Sequence, residues 1–140
     1  MELIEIKKDL FTMPEDYFLA HCISADAKMG AGIAVQFRKK FKLSSLQDMA
    51  SRNDLIVGKS YKVDRVFNLI TKSKYWYKPT YETLTMSLKS MKEICVQESI
   101  NKLAMPEIGC GLDKLQWGRV KEIIINEFID TPIEITVCRL

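Results

Sequence analysis

The sequence has one histidine, no closely spaced pair of cysteines and no long apolar run. His21 is the single imidazole among 140 residues, so a reaction that needs two histidines is excluded. Catalysis would have to use carboxylates, lysine, hydroxyls, thiols or main-chain donors. His21 precedes Cys22, but side chains of sequence neighbours on a strand point to opposite faces, so a Cys–His pair is not expected.

The cysteines form no CxxC motif and, with one histidine, no zinc-binding pattern, so we expect reduced thiols, no metal and no cofactor. No window approaches the roughly 18 apolar residues of a membrane span. The opening MELIEIKKDL carries acidic residues and lacks the apolar run of a signal peptide. These absences predict a cytoplasmic protein that does not bind membranes.

The net charge limits the partners that the chain can bind, and its length and hydrophobic content limit the number of domains. The chain has 21 basic and 18 acidic residues, a net charge of +3 that is spread over both halves. It therefore lacks the concentrated basic stripe of a duplex-binding protein, although an anionic small ligand remains compatible with it. With 47% hydrophobic residues, the chain predicts a single domain over residues 1–140, and we expect a monomer.

Hydrophobic periodicity predicts strands and helices that largely alternate. Strands are expected at 2–8, 17–24, twice within 55–71, at 101–108 and at 132–140. Helices are expected at 30–41, 44–54, 80–98 and 117–129, and residues 9–16 are expected to form a loop. Thr80 is predicted to cap the third helix, where Thr83 falls short of a full capping box. This order predicts an α/β fold, a three-layer α/β/α sandwich with a central mixed sheet.

Four of the six glycines lie in two loops that each follow a strand and precede a helix. Gly30 and Gly32 lie in SADAKMGAGIA, and Gly109 and Gly111 lie in IGCGLDKLQW. Such loops meet at the carboxyl edge of a sheet, where free peptide N–H groups beside a helix N-terminus bind phosphate. The pattern indicates a diphosphate ligand, although two ligand-free tight turns would also produce it.

The segment GAGIAV begins like a dinucleotide-binding fingerprint, but Val35 occupies the position of the third glycine. No acidic residue closes a strand some 20 positions later, so hydride chemistry is discounted.

Lys72 and Asp113 are the candidate reactive side chains. Lys72 ends the apolar strand VFNLITK, and Asp113 follows Gly111 by two positions. An amine at this edge can act as a nucleophile, and a carboxylate beside it can move protons. In the alternative, Lys72 is an ordinary surface lysine and Asp113 caps the next helix.

Four blocks, HCISADAKMGAGIAVQFRKKF, LITK, KPTYETL and MPEIGCGLDKLQW, resemble a macrodomain of the ALC1-like class, the class of terminal ADP-ribose glycohydrolases. The resemblance extends over essentially the whole chain. It implies that Asp9 binds the adenine amino group, with Leu10 and Phe11 beside it, and that Ser24 lies near the distal ribose. It also implies that main chain binds the diphosphate and distal ribose at two segments: Met29, Gly30, Ala31, Gly32 and Ile33, and Gly109, Cys110, Gly111 and Leu112.

The same resemblance places the catalytic pair on Lys72 and Asp113. It implies that Lys72 attacks the anomeric carbon of the distal ribose and that Asp113 handles protons. The implied reaction removes mono-ADP-ribose that is ester-linked to glutamate or aspartate of proteins, with O-acyl-ADP-ribose as a related substrate. Removal of ADP-ribose from thymidine of DNA, as in antitoxin macrodomains, phosphatase action on ADP-ribose 1″-phosphate and a non-catalytic binding module remain alternatives.

The chain departs from the family pattern in places. It has ISA where most macrodomains carry an asparagine–alanine pair, so the water-activating chemistry of other macrodomain classes is not transferred to it. Cys138 stands where the closing strand of the family has an aromatic residue. Tyr75, Trp76 and Tyr77 either cover the pocket, contact the modified macromolecule or pack on the flanking helix.

Overall fold

The computed structural model describes residues 1–140 and contains the elements in the predicted order. The strands are β1 (Glu2–Lys7), β2 (Phe18–Ser24), β3 (Ser60–Val63), β4 (Val66–Lys72), β5 (Lys102–Met105) and β6 (Glu134–Arg139). The helices are α1 (Ile33–Lys40), α2 (Ser44–Ser51), α3 (Tyr81–Gln97) and α4 (Trp117–Phe128). None of these helices has the length and apolar character needed to cross a membrane.

The six strands form one mixed sheet in the order β1-β6-β5-β2-β4-β3. Every neighbouring pair is parallel except β3 and β4, which are antiparallel. The carboxyl ends of the five parallel strands therefore lie at one edge of the sheet. The two glycine loops, which follow β2 and β5, leave the sheet at this edge from neighbouring strands.

Helices cover both faces of the sheet, which confirms the predicted three-layer sandwich. Helices α3 and α4 bury their apolar stripes on one face, with Leu88 and Ile124 fully enclosed. Helices α1 and α2 cover the other face through Phe37 and Leu46. Because strand side chains alternate in direction, each central strand supplies both cores.

The end of β5 and the residues before β2 are among the local features that differ from the prediction. Strand β5 ends at Met105, three residues earlier than expected, because Pro106 has no N–H to extend the ladder. Within the predicted loop 9–16, residues Leu10–Thr12 form a short 3-10 helix that the Asp9 side chain caps. The sequence signal for this turn was an aspartate, a residue that often caps helices, directly before three residues that lack the alternation of a strand.

The prediction that Thr83 falls short of a capping box is wrong. The Thr83 N–H donates to Thr80 Oγ1 at 3.0 Å, and the Thr80 N–H donates to Thr83 Oγ1 at 3.1 Å. The Thr83 hydroxyl also donates to the Thr71 carbonyl at 2.7 Å. The first turn of α3 is thus bonded to the residue that precedes Lys72.

Candidate active site

A bulge at the end of β2 sets the register of the site. The pairing of β2 with β4 shifts between Ile23 and Ser24, so that Ser24 lies opposite Lys72 rather than Thr71. Bulges re-aim side chains and are common next to active sites. Here the shift places Ser24 and Lys72 together at the carboxyl edge of the sheet.

Lys72 and Asp113 form an ion pair across the space between β4 and the second glycine loop. Lys72 Nζ lies 2.7 Å from Asp113 Oδ1, and the side chains are 14% and 15% exposed. Asp113 does not cap α4, since Gln116 occupies the N-cap and its N–H donates to the hydroxyl of Tyr81. The amine is therefore held beside a single carboxylate in a mostly enclosed position.

This pair lines a cavity of about 940 Å³ at the carboxyl edge of the sheet. That volume is at the upper end of the range for small-molecule sites, and it suits a nucleotide-sized ligand. Eleven predicted site residues line it: Ser24, Met29, Gly30, Ala31, Gly32, Ile33, Lys72, Gly109, Gly111, Leu112 and Asp113. The structure thus brings together the two glycine loops and the predicted catalytic pair.

The two glycine loops approach one another above the cavity. A Cβ on Gly32, whose φ is +61°, would lie 3.3 Å from Leu112 Cδ1 of the other loop. Gly30 and Gly111 differ, because neither has a left-handed φ and a Cβ on either would meet no atom within 4 Å. Glycine at these two positions leaves open space on the cavity wall, where a ligand can approach the main chain.

Asp26 connects three parts of the cavity wall, and the sequence analysis did not identify it. Its carboxylate accepts hydrogen bonds from the Ser24 hydroxyl, the Lys28 N–H and the Tyr75 N–H. Burial raises the pKa of Asp26, but these hydrogen bonds outweigh burial and leave the pKa below its usual range. The charged carboxylate thereby fixes the bulge, the first glycine loop and the segment after β4 relative to one another.

The segment after β4 is also bonded to the second glycine loop. Lys78 Nζ donates to the Leu112 carbonyl at 2.8 Å, and both Lys78 and Tyr75 line the cavity. Glu107 and Lys28 line it as well. The sequence signal for Glu107 and Lys28 is that each lies next to or within a glycine loop, which was too general to single them out.

Cysteine chemistry is disfavoured in this pocket. Burial, and secondarily the Asp113 carboxylate, raises the pKa of the Cys22 thiol far above its usual range. Burial, together with Glu107, raises the pKa of Cys110 to about 11. Cys110 does not line the cavity, and its thiol donates to the Ile108 carbonyl at 3.3 Å. Both thiols therefore stay protonated, and the catalytic roles of Lys72 and Asp113 stay predictions.

The predicted adenine-binding residues lie beside this cavity and do not line it. Asp9 Oδ1 accepts from the Phe11 N–H at 3.0 Å, and the Leu10 side chain is buried in the core. Phe11 packs edge-on against Phe37, with ring centroids 4.9 Å apart. Phe37 stacks in turn on His21, which borders the cavity. The adenine role of Asp9, Leu10 and Phe11 stays a prediction.

Comparison with known proteins identifies relatives over nearly the whole chain. The chain is 44% identical over 136 residues to ADP-ribose glycohydrolase OARD1 of Homo sapiens, with 96% of this chain and 90% of that protein covered. It is 24% identical over 125 residues to DNA ADP-ribosyl glycohydrolase of Mycobacterium tuberculosis, with 81% of this chain and 35% of that protein covered. No family model matches the chain.

Among solved structures, the macrodomain of Thermus aquaticus DarG superposes with a TM-score of 0.89 at 22% identity, covering 99% of this chain and 98% of that one. This match confirms the macrodomain fold. The similarity to OARD1 extends over almost all of both proteins. The ALC1-like class stays a prediction within that assignment. The chain belongs to the macrodomain family of ADP-ribose glycohydrolases.

Proposed function

We propose that this protein is an ADP-ribosyl hydrolase that removes mono-ADP-ribose ester-linked to glutamate or aspartate of proteins, and that it deacylates O-acyl-ADP-ribose by the same chemistry. The observation that carries the proposal is the Lys72–Asp113 ion pair of 2.7 Å within a cavity that both glycine loops border. A pure binding module needs the loops but has no use for an enclosed amine and carboxylate. The 44% identity to a protein named ADP-ribose glycohydrolase supports the same conclusion.

In the proposed complex the diphosphate and distal ribose lie along the two glycine loops. Open space at Gly30 and Gly111 supports this placement, because it admits a ligand to the main chain. The Asp26 network would hold the loop at the distance the ligand needs. Ser24, opposite Lys72 in the sheet, would lie close to the distal ribose.

The first step is proposed to transfer ADP-ribose to Lys72. Asp113 takes a proton from the ammonium, and the Nζ lone pair forms a bond to the anomeric carbon. The bond from that carbon to the acceptor carboxylate breaks, and its electron pair leaves with the carboxylate. Because a carboxylate is a good leaving group, this step needs neither histidine nor a metal to protonate the departing oxygen.

The second step is proposed to hydrolyse the lysyl adduct. After the new amine has lost its extra proton to solvent, Asp113 returns its own proton to the nitrogen. Water adds to the anomeric carbon as the C–N bond breaks, which releases ADP-ribose. The proton lost by water restores the Lys72 ammonium, and Asp113 is again a carboxylate.

Substitution of the pair tests this mechanism. We expect Lys72→Ala and Lys72→Arg to reduce release of ADP-ribose from an ADP-ribosylated glutamyl protein to background, because arginine keeps the charge but is not a nucleophile. We expect Asp113→Ala to lower turnover by roughly 10²–10⁴-fold and to accumulate an ADP-ribose adduct on Lys72, detected by intact mass. Lys89→Ala, an exposed lysine on α3, is the matched control.

Full activity of Lys72→Ala would disprove the covalent mechanism. Binding of free ADP-ribose by the wild type without turnover of any substrate would instead identify a binding module. Calorimetric titration of ADP-ribose into each variant separates loss of binding from loss of chemistry.

A second candidate is removal of ADP-ribose from DNA. The Mycobacterium tuberculosis relative is named a DNA ADP-ribosyl glycohydrolase. In this chain, Lys72 ends β4, Lys74 and Lys78 follow in the next segment, and these lysines would suit an anionic acceptor. The same Lys72 chemistry applies, with a base nitrogen or oxygen as the leaving group.

We propose that the protein acts as a monomer in the cytoplasm. The four cysteines are free, which suits a reducing compartment.

A further inference from the structure

Three consecutive aromatic side chains, Tyr75, Trp76 and Tyr77, are exposed beside the cavity, and we refer to them as the aromatic ridge. They are 57%, 60% and 49% exposed. Neighbouring rings pack edge to face on each other, at 5.0 Å and 87° for Tyr75 and Trp76 and at 5.6 Å and 81° for Trp76 and Tyr77. Such a cluster of large exposed aromatic groups is typical of an interaction surface.

The main chain under the aromatic ridge is fixed at several points. The Tyr75 N–H donates to Asp26 Oδ2 at 3.0 Å, and the Tyr77 N–H donates to the Lys74 carbonyl at 3.0 Å. Lys78 Nζ holds the far end of the segment to the Leu112 carbonyl. A surface held in place before binding loses little conformational entropy when a partner docks.

The position of the aromatic ridge relates it to the acceptor side of the substrate. Tyr75 lines the cavity together with Lys72, whereas Trp76 and Tyr77 lie outside its wall. The bond that Lys72 would cleave joins ADP-ribose to the acceptor. Since Tyr75 shares the cavity wall with Lys72, an acceptor attached at that bond can contact the aromatic ridge as it leaves the cavity.

The charge around the aromatic ridge indicates the chemistry of this acceptor. Residues 72–80, KSKYWYKPT, contain three lysines and no acidic residue, and with Lys72 paired to Asp113 the lysines that remain are Lys74 and Lys78. The nearby Asp26 carboxylate is occupied by hydrogen bonds within the protein. Stacking aromatics combined with cations is the arrangement that binds single-stranded nucleic acid, through bases and phosphates together. An acidic peptide would use the lysines but would leave three exposed rings without a partner.

We propose that the aromatic ridge, with Lys74 and Lys78, binds single-stranded DNA on either side of an ADP-ribosylated nucleotide. This inference rests on the proposed hydrolase function and favours modified DNA as a substrate of the same site. Lys78 can take part because an ammonium has three donors and only one is used at Leu112. The low net charge of the chain limits the contact to a few phosphates.

Binding of unmodified oligothymidylate of about 12 nucleotides gives the first test, measured by fluorescence anisotropy. We expect Trp76→Ala to weaken binding about tenfold, since each stacked base contributes strongly to such complexes. Lys74→Gln should reduce the magnitude of the slope of log K against log salt by about 0.7, the value for one phosphate contact on a single strand. Lys89→Gln and Ile56→Ala, exposed elsewhere, serve as the matched controls.

Turnover gives the second test. We expect Trp76→Ala to lower kcat/KM about tenfold on an ADP-ribosylated single-stranded oligonucleotide and to leave kcat/KM unchanged on ADP-ribosylated thymidine, which has no flanking nucleotides. Equal losses on both substrates would show a structural role for Trp76 and overturn the inference. A loss confined to an ADP-ribosylated acidic peptide would overturn it in favour of a protein acceptor.

The two proposals fail separately. Wild-type turnover of the glutamyl substrate with no measurable oligothymidylate binding would overturn the DNA surface and leave the hydrolase intact. Binding of oligothymidylate that depends on Trp76, with no turnover of any substrate, would support the DNA surface and overturn the hydrolase.

Discussion

At Gly111 the main chain has no left-handed φ, and a Cβ there would meet no protein atom within 4 Å. The absence of a side chain is therefore not required by the fold. We expect Gly111→Ala to leave the free energy of unfolding unchanged or to raise it by up to about 1 kcal/mol, because alanine restricts the unfolded chain. The added methyl group would occupy open space at the cavity wall, where we propose that the ligand approaches the main chain. It should therefore weaken ADP-ribose binding, which calorimetry would measure.

Gly109 provides the contrasting substitution. Its φ is +74°, and an added Cβ would lie 3.0 Å from Leu115 Cδ1. Gly109→Ala should therefore destabilise the free protein by about 1 kcal/mol or more, measured by urea unfolding.

If Gly111→Ala binds ADP-ribose with wild-type affinity, the second glycine loop does not contact the ligand as proposed.

Single residues were predictable where their position on an element defined their role. Lys72 at a strand end and Asp113 in a glycine loop were assigned from the sequence, and the structure joins them across 41 positions. Asp26 was not predicted, because its role depends on the Tyr75 peptide 49 positions away. No local pattern reports a contact of that range. The cavity contains most of the predicted site residues but neither Asp9, Leu10 and Phe11 nor Cys110, and all predicted ligand contacts and catalytic roles stay predictions.

At the scale of the element, the start of α3 fixes the end of β4. The Thr83 hydroxyl bonds the Thr80 N–H and the Thr71 carbonyl, and Lys72 follows directly. We expect Thr83→Val to lower the free energy of unfolding by about 1–2 kcal/mol, through loss of the cap and of a buried carbonyl partner. Urea unfolding measures this change.

Thr83→Ser is the matched control for that prediction, since it keeps the hydroxyl and removes one methyl group. It should retain most of the stability. The Thr83 hydroxyl bonds the carbonyl of Thr71, the residue before Lys72. Thr83→Val should therefore also lower kcat more than it raises KM for ADP-ribosylated protein. An unfolding free energy equal to that of the wild type would mean that the capping box contributes nothing to α3.

The elements themselves followed from hydrophobic periodicity, because each strand and helix buries a regular face. Their bounds were less predictable, as β5 shows at Pro106. The order of strands in the sheet was not predicted either. Periodicity reports which face of a strand is buried but not which strand lies beside it, and β1 pairs with β6 from the far end of the chain.

At the scale of the whole molecule, stability depends on the protonation of one buried imidazole. His21 Nε2 lies 2.6 Å from Asn68 Oδ1, while the Asn68 amide group donates to two carbonyls. The Asn68 oxygen must therefore accept, so His21 carries its proton on Nε2 and leaves Nδ1 without a partner. Burial lowers the pKa of His21 from 6.5 to about 4, and the bond to Asn68 offsets only part of this effect.

Because the folded state has the lower pKa, the unfolded chain binds more protons between pH 4 and 6.5. The contribution of neutral His21 to the free energy of unfolding is therefore fully present above pH 6.5. It is lost as the pH falls, by up to about 1.4 kcal/mol per pH unit and about 3 kcal/mol in total. The carboxylates with lowered pKa, such as Asp26 and Glu5, have ordinary values of 3.8 and 4.5, so they lose their contribution below about pH 5 and leave the range from pH 5 to 6.5 to His21.

Urea unfolding between pH 4.5 and 7.5 would measure this dependence, with His21→Gln as the comparison, because glutamine can still donate to Asn68 but does not titrate. The variant should be less stable at pH 7.5 and should show a flat profile down to pH 5. His21 also stacks on Phe37 of α1, directly after the first glycine loop, so ADP-ribose binding should weaken over the same pH range. Parallel profiles for the two proteins would assign the acid sensitivity to groups other than His21.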